Sequence, residues 1–121
     1  MTRDDEHAHQ VALFTWRDHA VRAMPELRWL FCVPNGGARS PRTAARLKAE
    51  GVRRGVPDLA LPVPRGGYAG LWIELKRPGR HSVSPEQREW LAGLRDLGHR
   101  AEVAVGWLEA RDLIVDYLRA D

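Results

Sequence analysis

Three residues near the middle of the chain could together perform hydrolytic chemistry on phosphate esters. Asp58 follows Val56-Pro57, and Glu74 and Lys76 end the run Gly70-Leu71-Trp72-Ile73-Glu74-Leu75-Lys76. A hard divalent cation such as Mg²⁺ prefers oxygen ligands, usually one or two carboxylates together with waters and phosphate oxygens. An acidic residue, an apolar run and then Glu-x-Lys is therefore the skeleton expected of a metal-dependent nuclease site.

The lysine of this set stands out because the chain uses arginine for most of its positive charge. Of 19 basic residues only Lys48 and Lys76 are lysines. A retained lysine indicates a position that needs a compact ammonium on a flexible stem. Two residues after Glu74, Lys76 could orient the nucleophile or offset charge on the scissile phosphate. Being a lysine does not by itself indicate a functional role, because Lys48 is also a lysine and has no comparable pair of carboxylates nearby. The indication for Lys76 therefore depends on the nearby Asp58 and Glu74.

A β-hairpin is the element that would bring these residues together. Two strand-like stretches, residues 58–63 and 70–76, flank a connection rich in proline and glycine. Folding about Gly67 would place Asp58 opposite Lys76 and diagonal to the second carboxylate. All three polar groups are then predicted at the same end of the hairpin.

Alternation along the second strand decides which side chains share a face. Glu74 and Lys76 are two residues apart and share one face, whereas Ile73 and Leu75 point to the other. The backbone carbonyl of Leu75 is a possible third oxygen ligand. Taken alone, Glu-x-Lys equally describes a solvated pair on a strand, and Pro-Asp describes an ordinary turn.

Periodicity and punctuation predict the remaining elements. They are a first helix over about 4–24, a strand over 28–33, a helix between Ser40 and Gly51, a helix from Ser84 to Gly98, a strand over 101–107 and a helix over about 109–119. With the hairpin, the order is α-β-α-β-β-α-β-α. This order predicts a mixed α/β fold, a small mixed β-sheet flanked by helices.

Composition limits the class of protein. At 121 residues, residues 1–121 are expected to form a single domain with one core. Cys32 is the sole cysteine, so neither an internal disulfide nor a structural zinc site is expected. The amino terminus is polar and no segment has the apolar length of a membrane span, which predicts an intracellular protein.

Positive charge is concentrated in what we call the basic segment, residues 39–54. It holds six basic residues against one acid, while the net charge of the whole chain is only +3. The six are Arg39, Arg42, Arg46, Lys48, Arg53 and Arg54. Such a run is either a solvated face or a surface that contacts nucleic-acid phosphates.

The motifs taken together resemble those of the VRR-NUC family of the PD-(D/E)XK nuclease superfamily. The resemblance is carried by Gly55-Val56-Pro57-Asp58-Leu59, the run ending at Lys76, and Ser84-x-x-Gln87. It extends to Glu6-x-x-x-Gln10, Pro34-Asn35-Gly36-Gly37 and residues 44–51. It covers nearly the whole chain and implies a restriction-endonuclease-like core.

The resemblance also implies roles for individual residues. Asp58 and Glu74 correspond to the metal-binding carboxylates, Lys76 to the catalytic lysine, Gln87 to a glutamine close to the site, and Glu6 to a first-helix acid that approaches the metal. The implied reaction is Mg²⁺- or Mn²⁺-dependent hydrolysis of DNA phosphodiesters that leaves a 5′-phosphate and a 3′-hydroxyl. Short stand-alone members are similar to phage and bacterial Holliday-junction-type nucleases that act as homodimers in DNA repair, and larger relatives cut flaps.

Three alternatives stay open at this point. Gln87 fits a capping box with Ser84 as well as it fits a site. Glu6 and Gln10 share a helix face, which describes either a joint approach to a site or a solvent-exposed first turn. The whole chain could also be a nucleic-acid-binding module that keeps a nuclease fold without catalysis.

Overall fold

The computed structural model describes residues 5–34 and 40–121. Its helices are α1 (Glu6–Ala20), α2 (Pro41–Ala49), α3 (Pro85–Asp96) and α4 (Trp107–Arg119), and a short 3-10 helix spans Pro25–Trp29. Its strands are β1 (Phe31–Cys32), β2 (Leu59–Leu61), β3 (Leu71–Lys76) and β4 (Arg100–Val105). The predicted order of helices and strands is confirmed. The motif residues Asn35-Gly36-Gly37 and the basic residue Arg39 lie outside the described residues.

The described strands form one mixed sheet in the order β1-β2-β3-β4. β1, β2 and β3 are joined by antiparallel pairing, whereas β3 and β4 are parallel and are connected by α3. A parallel connection requires a crossover of this kind. β3 is therefore an interior strand, and the residues that it carries are covered from both sides.

Helices cover the two faces of the sheet differently. α1 and α4 pack on one face, where Leu13, Ile73, Leu75 and Ile114 belong to the main core cluster. α3 packs on the other face through a smaller cluster built on Leu91 and its neighbours. The smaller cluster leaves room beside α3 for polar side chains at the end of β3.

Two predicted segments near the amino terminus differ from the structure. The first helix ends at Ala20 rather than near Met24, because Met24 precedes Pro25 and takes a non-helical conformation with φ −127° and ψ 81°. Pro25 then begins the 3-10 helix, so Arg28 and Trp29 are not in a strand. The predicted strand over 28–33 is reduced to Phe31–Cys32.

The signals at the helix ends are confirmed. The hydroxyls of Ser40 and Ser84 accept hydrogen bonds from backbone N–H groups in the first turns of α2 and α3. Gly51 and Gly98 follow these helices with φ +103° and +94°, a region that favours glycine. The predicted boundary between β4 and α4 was wrong, because Trp107 begins α4 instead of ending the strand.

The register of the hairpin also differs from the prediction. Leu59 pairs with Ile73 in the antiparallel ladder. The next position outward places Asp58 beside Glu74, so the prediction that Asp58 lies opposite Lys76 was wrong by two residues. The turn centres one residue earlier than assumed, near Gly66. Because the shift is even, the face on which each side chain lies is unchanged.

Candidate active site

Asp58 lies immediately before β2 and is hydrogen-bonded to residues on both neighbouring sides, on β3 and directly after β1. Its Oδ2 accepts a hydrogen bond of 2.8 Å from the backbone N–H of Leu75. Its backbone carbonyl accepts a bond of 2.7 Å from the N–H of Val33, which follows β1. The carboxylate is therefore fixed beside the backbone of Leu75.

Glu74 and Lys76 lie on the α3 face of β3 and are both buried. Their residues are 2% and 6% exposed. Lys76 Nζ lies 3.7 Å from Glu74 Oε2, a long ion pair. Fully buried charged side chains are rare unless they are paired, so this pair is an exception among the buried residues that the structure describes.

Gln87 in the first turn of α3 joins the pair to the helix. Its Oε1 accepts hydrogen bonds from the backbone N–H of Ser84 (2.8 Å) and from Lys76 Nζ (3.0 Å). Its Nε2 donates a bond of 3.2 Å to Glu74 Oε2. The predicted capping box is confirmed, and the same side-chain amide also contacts both Glu74 and Lys76.

Glu74 is electrostatically the most perturbed group of the cavity. Burial and, to a smaller extent, hydrogen bonding and charge from the adjacent Asp58 carboxyl together raise its pKa to about 9, although Lys76 opposes the shift. No donor among the described residues reaches Glu74 Oε1, although that oxygen is buried. A buried oxygen without a partner carries a desolvation cost that a bound cation would remove.

Glu6 approaches the same place from the first turn of α1. It lines the cavity with Asp58, Glu74 and Lys76. Partial burial and the charge of Asp58 raise its pKa, whereas Lys76 and Arg77 lower it. The structure therefore brings Glu6 to the site but does not bring Gln10, which lines a separate groove with Phe14 and Phe31.

These residues line one cavity of about 300 Å³, called the site cavity below. Its walls are Glu6, Arg54, Gly55, Val56, Asp58, Glu74, Lys76, Ser84, Glu86 and Gln87. Loop, strand and helix residues that are far apart in sequence thus converge on one concave surface.

Comparison with known proteins bears on this arrangement. The model of the VRR-NUC domain matches residues 4–107, most of the chain. The chain belongs to the VRR-NUC domain family. A solved structure titled VRR_NUC domain protein is similar to it with a TM-score of 0.82 and 28% sequence identity, covering 99% of this chain and 93% of that one. A search of the curated proteins found no match.

Family membership implies a nuclease-type fold and DNA as the class of substrate. The mixed sheet flanked by helices is consistent with a restriction-endonuclease-like fold, as expected. No helix in residues 5–34 and 40–121 is both long and apolar enough to cross a membrane.

The donor set of this VRR-NUC domain fits a hard cation. Within the described parts of the chain, no three His, Cys, Asp or Glu side chains already form a metal-binding group. Asp58 and Glu74 would supply two carboxylates, and the remaining ligands would be oxygens of the backbone, water or substrate, the pattern that Mg²⁺ commonly shows. Such an ion would supply the partner that Glu74 Oε1 lacks in the part of the chain that the structure describes.

Sequence reasoning gave no role to Gly55, which controls how closely two walls of the site cavity approach. Gly55 has φ +89°, and a Cβ on it would lie 2.5 Å from the backbone carbon of Glu86 and 2.8 Å from the N–H nitrogen of Gln87. The loop can pack against the start of α3 only because residue 55 lacks a side chain. The glycine two residues before Pro-Asp was the available signal. Glu86 was also missed, and only its position next to Gln87 pointed to it.

The described part of the basic segment lies on α2 and the loop after it. α2 contributes no buried residue, and Arg42, Arg46, Lys48, Arg53 and Arg54 are exposed. Arg54 lines the site cavity and also the groove beside α2 that Lys48 and Arg53 help to form. The basic surface therefore reaches the site cavity through Arg54.

Proposed function

We propose that this VRR-NUC domain is a Mg²⁺- or Mn²⁺-dependent, structure-selective endodeoxyribonuclease that hydrolyses phosphodiester bonds in branched DNA. The observation that carries the proposal is the environment of Glu74. Glu74 is a buried carboxylate beside Asp58 at the wall of the site cavity, and one of its oxygens has no hydrogen-bond partner in residues 5–34 and 40–121. Burying like charges together is costly, and a divalent cation is the ligand that would offset that cost.

Asp58 and Glu74 would hold the cation, with the carbonyl of Leu75 as a backbone ligand and Glu6 as a further carboxylate at the cavity wall. When bound, the metal stabilises negative charge on the phosphate and lowers the pKa of a water nucleophile. The hydrogen bond from the Leu75 N–H fixes one oxygen of Asp58. A carboxylate oriented in this way needs little reorganisation to bind an ion.

Lys76 would act on the substrate side of the cavity. Its ammonium is held by Gln87 and faces Glu74. Nζ can place a positive charge and a hydrogen-bond donor near the scissile phosphate, where it would orient the attacking water and offset developing charge. Gln87 would hold Glu74 and Lys76 in their relative orientation, since its amide contacts both.

The basic segment would bind the DNA backbone next to the reaction centre. Arg54 links the groove beside α2 to the site cavity. Exposed arginines and lysines bind phosphates without reading sequence, which suits a nuclease that selects DNA by shape. Selection of Holliday junctions or flaps, and assembly as a homodimer, are inferred from the family likeness.

Cleavage of a defined panel tests the proposal. Purified protein is incubated with Mg²⁺ or Mn²⁺ and with labelled duplex, flap and four-way-junction DNA, and EDTA serves as the control. Metal-dependent cutting, fastest on a branched substrate and leaving 5′-phosphates, is expected. If all three substrates stay intact with both metals, the proposed catalysis is wrong.

Calorimetric titration with Mn²⁺ separates a nuclease from a binding module that only keeps the fold. Wild-type protein is expected to bind the ion, and Asp58→Asn is expected to abolish binding, because it removes the charge of one of the two main carboxylate ligands, Asp58 and Glu74. DNA binding without any metal binding would instead support the module. Size measurement in solution, with and without junction DNA, tests the dimer.

A further inference from the structure

A histidine outside the site cavity caps a helix to which it does not belong. The backbone N–H of Trp107, the first residue of α4, donates a hydrogen bond of 3.0 Å to His9 Nδ1 on α1. The N-cap residue of α4 is Gly106, which has no side chain to accept this bond. The first N–H groups of a helix need such a partner, and His9 provides it from another element.

The first turn of α4 is also hydrogen-bonded to β3, the strand that carries Glu74 and Lys76. The N–H of Gly106 donates a hydrogen bond of 2.8 Å to the carbonyl of Lys76. A Cβ on Gly106 would lie 3.6 Å from His9 Cε1 and 3.6 Å from Pro78 Cγ, so imidazole and proline ring flank the turn. His9, the start of α4 and the end of β3 therefore form one continuous set of contacts.

His9 shares a helix face with the carboxylate that α1 brings to the site. Glu6 lies three residues before His9, a spacing that places both on the same side of a helix. Glu6 is near the amino-terminal end of α1, where a helix frays unless it is anchored. The hydrogen bond that His9 accepts from Trp107 anchors this end of α1 to the start of α4, and Gly106 joins that start to the end of β3 at Lys76.

We propose that His9 is a positioning residue: its Nδ1 holds the first turn of α1 so that Glu6 stays at the wall of the site cavity. This inference rests on the proposed metal-dependent function of that cavity. His9 does not itself line the site cavity, and its effect passes through Glu6. The hydrogen-bond acceptor at the Nδ1 position is the feature that the role requires.

Two substitutions separate the acceptor from the imidazole ring. In His9→Asn the amide oxygen can occupy the place of Nδ1, whereas His9→Ala has no acceptor. His9→Ala is expected to lower the affinity for Mn²⁺ in calorimetry, and kcat for DNA cleavage, by about tenfold, the effect of losing an outer-shell contact. His9→Asn is expected to stay within about twofold of wild type. Equal values for His9→Ala and wild type would overturn the proposal.

A double-mutant cycle with Glu6→Gln distinguishes positioning from general stability. If His9 acts through Glu6, His9→Ala has no further effect on Mn²⁺ affinity in a protein that already carries Glu6→Gln. His9→Ala also removes a helix cap and is expected to lower Tm by a few degrees, with or without Glu6→Gln. Full additivity in Mn²⁺ affinity would show a merely structural role and overturn the proposal.

The metal titration also keeps the two proposals distinguishable. If wild type binds Mn²⁺ but cuts no DNA, the proposed function fails, and the cycle still tests His9 through the affinity. If wild type cuts DNA and His9→Ala binds and cuts equally well, only the role of His9 fails. If wild type binds no Mn²⁺, both proposals are wrong.

Discussion

Lys76 and Lys48 are the two lysines of the chain, and they lie in opposite environments. Lys76 is 6% exposed at the end of β3, bonded to Gln87 and paired with Glu74. Lys48 is exposed on α2, a helix without buried residues. In the site cavity, residues distant in sequence hold Asp58, Glu74 and Lys76. The described contacts of the basic segment are instead between near neighbours, such as Arg46 with Glu50. Charges held by tertiary contacts are suited to chemistry, and charges held locally are suited to binding a variable backbone.

The sharpest test of this comparison exchanges each lysine for alanine. Lys76→Ala is expected to reduce kcat for DNA cleavage by roughly 10²–10³-fold, because a preorganised charge at the reacting phosphate is lost. Lys48→Ala removes at most one phosphate contact and is expected to change the rate by less than about fivefold. Single-turnover cleavage of a junction substrate measures both, and similar rates for the two variants would contradict the assignment.

The two positive-φ glycines next to these regions provide a matched pair. Gly51→Ala meets no atom within 4 Å and is expected to cost about 1–2 kcal/mol for its backbone conformation alone. Gly55→Ala also clashes with the backbone of Glu86 and Gln87, so a loss of about 3 kcal/mol or more is expected. Urea unfolding measures both, and an equal cost at the two positions would show that the close packing of the loop on α3 is unimportant.

Glu74 predicts how metal-free protein responds to pH. Its folded-state pKa is raised to about 9 from 4.5, so between these values the folded state binds more protons and stability falls as pH rises. Glu74→Gln removes this dependence on pH. At pH 8 its free energy of unfolding is expected to be roughly 1–3 kcal/mol higher than that of wild type. Urea unfolding in EDTA at pH 5 and pH 8 measures the difference. The same pH dependence in both proteins would contradict the burial of an ionisable Glu74.

The smallest expected effect concerns the basic segment. Arg42→Ala is expected to weaken DNA binding in EDTA and to reduce the slope of log affinity against log salt by about 1, since one phosphate contact is lost. Arg119→Ala on α4, outside the basic segment, is the control and is expected to leave the slope unchanged. Fluorescence anisotropy at several salt concentrations measures both. A larger change for Arg119 would place the DNA on another surface.

The sequence predicted most local features because their causes are local. Ser40 and Ser84 begin helices through their own side chains, and Gly51 and Gly98 end them through their φ angles. The strand around Phe31 was predicted too long because the conformation of Pro25 and its neighbours outweighs β propensity. The hairpin register was wrong by two residues, because two registers that differ by an even step bury the same faces and the turn alone chooses between them.

The sequence by itself determined that Glu74 and Lys76 lie on the same face at the end of β3. Side chains alternate along a strand, so residues two apart share a face whatever surrounds them. Only the tertiary structure decided that this face is buried against α3 and that the Gln87 amide contacts both residues while capping its helix. It also decided that Glu74 Oε1 has no hydrogen-bond partner among the described residues. Burial, and with it the pKa of Glu74, depends on elements far apart in the chain, because solvent is excluded only where they meet. The spacing of residues in the sequence therefore predicts which side chains form the site, whereas tertiary packing determines their burial and the pKa of Glu74.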